Sequence, residues 1–177
     1  MTPHNPAGSA DEGQDQQDHD GRNDFDFYLG AWDIRLRKLI EPLNGDHEWE
    51  ESNAATVAQK VLGGLGHIDD FTMETAEGTA RELTLRLFDL QTRLWSIYGA
   101  DGTSAALPPP AIGRFQNGVG EFYNRDTFDG QSILIRLTFS GITANSFHWE
   151  QALSADGGRT WETNWMADFT RRSPAQE

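Results

Sequence analysis

His148 and Glu150 stand two residues apart in a stretch of strand-like alternation, so their side chains leave one face with Cα atoms about 6.8 Å apart. An imidazole beside a carboxylate can move a proton on an enolisable ligand. Tyr123, in a similar alternating stretch, could orient a ligand or share that proton through its hydroxyl. His67 and Asp69 repeat the two-residue relation, and two such pairs on neighbouring walls could chelate a metal through nitrogen and oxygen. Trp49 and Glu51 share a face of an earlier strand and complete the polar-aromatic candidates. A competing reading sits in the same segment. Phe147, Trp149 and Leu153 form the apolar face of the strand that carries His148, and if that face points inward, His148 and Glu150 point to water. Trp95, Trp149 and Trp165 read first as core filling, with Trp165 also a candidate ligand wall. No metal and no cofactor is assigned, haem ligation by His148 included.

A second group of motifs reads as structural. Ser154-Ala-Asp156-Gly157-Gly158-Arg-Thr160-Trp161 matches the Asp-box pattern found in sialidase-like propellers. Asp can bind backbone amides in a tight turn, Gly supplies positive φ, and Trp packs beneath. One copy without blade repeats is a hairpin clamp. Gly63-Gly-Leu-Gly66 looks phosphate-like, but no helix follows it, so it is a bulge or turn. Gly-rich phosphate loops, nucleophile elbows and His-Glu-x-x-His are absent.

These residues must be positioned by strands. From Gly30 the period is two, with Trp32, Ile34 and Leu36 alternating with Asp33, Arg35 and Arg37. Pro42-Leu-Asn-Gly45 supplies a turn. Strands are expected from about Glu48 to Leu62, from Gly66 to Glu74, around Leu83, Leu85 and Leu87, and from Arg93 to Gly99. Pro108-Pro109-Pro110 places a loop over 100–110. Further strands follow at about 111–116, 120–128, 131–140, 145–154 and 160–170. Roughly ten short strands without an amphipathic helix predict an all-β, antiparallel up-and-down barrel, which also removes exposed sheet edges. A two-sheet sandwich is the alternative.

The whole chain sets further bounds. With 177 residues it makes one domain, expected over 23–172, and 37% hydrophobic content with six Trp predicts an aromatic core. Residues 1–22 are acidic and nearly devoid of large aliphatics, so they are expected to be a disordered tail, with a short C-terminal tail over 173–177. Net charge is −14, which repels nucleic acid and anionic membrane and favours cationic partners. The absence of cysteine excludes disulfides and thiolate chemistry. With no long apolar run and no visible signal segment, a cytoplasmic location is expected. A homodimer is compatible with these features.

Asp24-Phe25-Asp26-Phe27-Tyr28-Leu29-Gly30-Ala31-Trp32 switches from the polar tail to aromatic residues and then to Gly-x-Trp. With Gly120-Glu-Phe-Tyr123 and the Glu150-Gln151 to Trp165 segment, it resembles a bacterial family of small calycin-like (lipocalin-like) barrels catalogued as a domain of unknown function. The resemblance covers most of 24–172. It implies the barrel, a ligand cavity, and a basic residue, Arg171 or Arg172, packed across the Trp32 indole. It implies no reaction. The expected function is therefore binding of a small hydrophobic or amphipathic molecule, with Trp49, Glu51, Tyr123, His148, Glu150 and Trp165 as candidate ligand contacts. The alternatives are a natural-product-type isomerase or cyclase using His148, Glu150 and Tyr123, and a filled-core interaction module.

Overall fold

The computed structural model describes residues 20–45, 47–75 and 78–173. Ten strands follow one another: β1 (Gly30–Leu39), β2 (Trp49–Val61), β3 (Gly66–Thr75), β4 (Gly78–Asp89), β5 (Leu94–Asp101), β6 (Ala111–Gln116), β7 (Val119–Phe128), β8 (Gln131–Ser140), β9 (Ser146–Ser154) and β10 (Glu162–Arg171). Each pairs antiparallel with its neighbours in sequence, and β1 also pairs with β10, which closes the up-and-down barrel. No helix among the described residues is long and apolar enough to cross a membrane. Most of the tail expected over 1–22 lies outside the described residues, as do residues 174–177. The fold already includes Gly21, whose carbonyl accepts a bond from Trp95 Nε1 at 2.9 Å.

The aromatic opening closes one end. Asp26–Tyr28 form a single 3₁₀ turn that carries Phe25, Phe27 and Tyr28 into the barrel. Phe25 is fully buried and packs edge-on against Trp95, Phe115 and Phe139, with centroids 5.1, 4.9 and 5.2 Å away. Trp32 donates its indole N–H to Tyr28 O at 2.7 Å. Arg171 lies across its ring at 4.2 Å and donates to the carbonyls of Leu29, Phe27 and Ala144. The basic residue expected over Trp32 is therefore Arg171. Gly30 explains the Gly-x-Trp spacing. Its φ is +100°, and a Cβ there would come within 3.0 Å of Arg171 Nη1. Gly113 serves a different need, since a Cβ would meet Glu121 O of β7 at 1.9 Å.

The other half of the barrel is looser. β5 and β6 pair only from Trp95↔Gly113 to Ile97↔Ala111. Beyond that point the 102–110 loop intervenes, and Asn124 Nδ2 of β7 binds Pro109 O at 2.8 Å. Prolines have no N–H to offer a ladder, so this strap cannot complete the sheet. The last hairpin turn is the expected clamp. Asp156 accepts the amides of Arg159 and Thr160 at 3.0 Å and the Thr160 hydroxyl at 2.7 Å, while Ser154 Oγ accepts Gly158 N–H at 2.8 Å. These bonds hold the Asp156 carboxyl well below the usual carboxylate range.

Candidate functional site

Above the aromatic plug the barrel encloses a cavity of about 280 Å³. Its apolar wall includes Leu36, Phe71, Ile97, Leu137, Trp149, Trp165 and Phe169. Trp149 and Trp165 meet edge to face at 5.6 Å. Pro108 and Pro109 of the strap line the cavity too, so the loop forms part of the wall.

The floor is polar and buried. Asp69 on β3 and Arg86 on β4 are 2% and 3% exposed and form a salt bridge from Arg86 Nη1 to Asp69 Oδ1. Thr56 on β2 donates its hydroxyl to Asp69 Oδ2 at 3.0 Å, and the Tyr28 hydroxyl lies 3.5 Å from the same oxygen. The guanidinium lies over the Tyr28 ring at 4.2 Å and faces Phe25 at 5.3 Å. Asp69 faces inward because it is in phase with Phe71 and Met73, and Arg86 because it is in phase with Phe88. Arg86 Nε is buried without a hydrogen-bond partner among the described residues. Such an unpaired donor is costly in a dry interior.

Charge in this layer is strongly shaped by burial. Burial first, then the Asp69 charge, pushes the Tyr28 phenol far above its ordinary value, so it remains a donor. Burial opposes the Arg86 charge, but Asp69 and Tyr28 outweigh it and hold the guanidinium above its usual value. Nearer the mouth, half-buried Glu82 is shifted upward, mainly by burial, with Asp101 and Asp69 adding to the shift and Lys38 opposing it. His67 packs behind the floor against Trp95, with Nε2 3.5 Å from Asp26 Oδ1. Burial, reinforced by Arg86, lowers its value to about 4.

The structure separates the residues singled out from sequence. Trp165 lines the cavity. His148 and Glu150 do not. Phe147, Trp149 and Gln151 take the inward positions of β9, which turns His148 and Glu150 to the outer wall. There His148 Nδ1 lies 2.8 Å from Asp168 Oδ1, and Nε2 lies 4.0 Å from Glu150 Oε2. Tyr123 is also outside, 45% exposed, bonded to Glu121 at 3.2 Å and packed against Trp161. Trp49 sits under Arg37 on the outer face, and Glu51 lies 3.7 and 3.8 Å from Arg37 and Arg35. The proton-transfer set of His148, Glu150 and Tyr123 is therefore not assembled in the cavity. Of the second His–carboxylate pair, Asp69 belongs to the floor and His67 packs behind it.

Sequence reasoning missed Tyr28, Thr56, Glu82 and Arg86. On β4 the leucines gave the apparent core face, yet Leu83 is 38% exposed and Glu82, Thr84 and Arg86 line the cavity. Phe88, in phase with them and buried at the closed end, was the available signal.

Fold and site together define a calycin-like, ten-stranded barrel with an internal cavity whose polar floor is set in aromatic walls. Among solved structures, the chain is similar to an S-type phycobiliprotein lyase from Guillardia theta, with a TM-score of 0.59 and 12% identity over 91% of this chain and 99% of that one. At that identity the likeness is one of fold. No family model and no curated protein matches the chain.

Proposed function

We propose that this barrel binds a small amphipathic molecule. Its apolar body lies against Phe71, Leu137, Trp149, Trp165 and Phe169, and a hydrogen-bond-accepting end reaches toward the floor. The observation that carries this reading is the buried Arg86–Asp69–Tyr28 constellation at the base of an aromatic cavity. A purely structural core is poorly served by such a group, because a well-packed apolar replacement of a buried ion pair is often at least as stable. The cavity is close to the lower end of the usual range for small-molecule sites, roughly 300 Å³. The lyase-like scaffold supports the reading at the level of architecture.

Gly99 supplies the test. It lines the cavity, and a Cβ added there meets nothing within 4 Å. Gly99→Phe should therefore fill the cavity from its wall without displacing backbone. Titration with the neutral fluorophore N-phenyl-1-naphthylamine should show saturable binding to the parent and at least about tenfold weaker binding to Gly99→Phe. Equal binding by a folded Gly99→Phe protein would place the probe elsewhere and remove the reading.

A further inference from the structure

The floor salt bridge leaves a charge imbalance nearer the mouth. Glu82 on β4 and Asp126 on β7 line the same cavity, and neither forms an ion pair among the described residues. Two cations are close to this space. Arg86 is engaged by Asp69, and Lys38 rests its ammonium over the Trp165 ring at 4.9 Å. The aromatic wall near the mouth thus already accommodates an ammonium on its face. In depth, Arg86 lines the floor as a buried cation, whereas toward the mouth Glu82 is half-buried and Asp126 is exposed, with one carboxylate oxygen accepting the Thr127 amide at 2.7 Å. Glu82 and Arg86 are four residues apart on one face of β4, about 13 Å along the strand.

We infer that the ligand is bipolar: an elongated aromatic or apolar molecule with an acceptor toward Arg86 and a basic nitrogen held at the mouth by Glu82 and Asp126. This rests on the binding reading above and adds the chemical class. Lys38 acts on half-buried Glu82 only from beyond salt-bridge distance, so part of the carboxylate's lost solvation is left for a ligand ammonium to restore through a charge-assisted bond. Trp149 and Trp165 add cation–π attraction from the adjacent wall. The net charge of −14 works in the same direction over longer range and draws cations toward the barrel. At physiological salt that field is screened within about 8 Å, so local carboxylates can be separated from it experimentally.

Three probes of matched shape decide the matter: 2-(2-naphthyl)ethylamine, 2-(2-naphthyl)ethanol and 2-naphthylacetate, titrated by calorimetry at pH 7 in 150 mM salt. The amine should bind about tenfold or more tightly than the alcohol, with the acetate weakest, as a charge-assisted bond in a partly dry site requires. Glu82→Gln and Asp126→Asn should each shrink the amine-to-alcohol ratio, and the double variant should bring it to within about threefold of unity. Circular dichroism melting would verify that each variant is folded, and the single variants keep the test open if the double does not fold. Tightest binding of the acetate would overturn the inference. So would an amine preference that survives in the double variant, since it would then come from the aromatic wall or the net charge and not from these carboxylates. If the alcohol binds with no preference for the amine, the inference is overturned while the cavity-binding reading stands. If none of the three binds, the cavity-binding reading falls with it.

Discussion

The two ends of this barrel solve opposite problems with the same strands. At the closed end, Trp32, Trp95 and Arg171 give their polar hydrogens to defined carbonyls, and the aromatic rings of the plug interlock. Nearer the mouth, Glu82 and Asp126 form no salt bridge among the described residues, β5 and β6 soon part, and a proline strap replaces a strand. Between them lies the Arg86–Asp69 layer, buried like the first, where Arg86 Nε has no hydrogen-bond partner among the described residues, as the ring nitrogens of His67 behind it have none. The contrast shows where stability resides: an interlocked aromatic plug holds the barrel closed, which leaves the other half free to keep a polar space.

The comparison can be broken most forcefully at the plug. Trp32→Ala should destabilise the protein by about 3–5 kcal/mol in urea unfolding, as for other buried large aromatics. A variant as stable as the parent but unable to bind the naphthylamine probe would move the indole into the binding site. The boundary layer should respond with a similar size but a different signature. Arg86→Met strands the Asp69 carboxylate and should cost about 3–5 kcal/mol, whereas Arg86→Met with Asp69→Leu should regain much of that stability. Equal losses for the single and double variants would mean that the pair is not energetically coupled.

Acid sharpens the contrast further. His67 in the folded protein titrates at about 4, below the roughly 6.5 of an unfolded chain, so the unfolded state takes up the proton first. Its contribution is complete above about pH 6.5 and is lost as pH falls toward 4. Urea unfolding of the parent and His67→Gln across that window should give curves whose difference narrows on acidification. Parallel curves would show that His67 is not held neutral. The smallest effect belongs to the outer clamp. Asp156→Ala should loosen the β9–β10 turn and lower Tm slightly, with probe affinity unchanged, because its bonds stay within residues 154–160.

Legibility followed the same division. The Gly-x-Trp opening was readable through its likeness to calycin-like barrels, and the structure gives the reason for the pattern: positive φ at Gly30, an indole two residues on, and an arginine on the last strand to cover it. Strand limits were readable from alternation and turn residues, and the Asp156 clamp from bonds that span only a few residues. The floor was not. Thr56, Asp69 and Arg86 come from three strands, and Tyr28 from the plug, so no spacing in the chain announces that they meet.

By itself the sequence determined the all-β class, the period of each strand and the clamp, since these follow from dihedral preferences and near-neighbour chemistry, while the closed end was read from its likeness to calycin-like barrels. Which face of each strand looks inward was decided only by tertiary structure. A period of two divides a strand into two faces without naming the inner one, and here both faces of β4 carry large apolar residues. Closure through Trp32↔Arg171 and the register of the other strands turned Trp149 and Arg86 inward and His148 and Leu83 outward. A buried guanidinium could be accepted in that register because Asp69 and Tyr28 arrived opposite it, an arrangement that exists only once the barrel has closed.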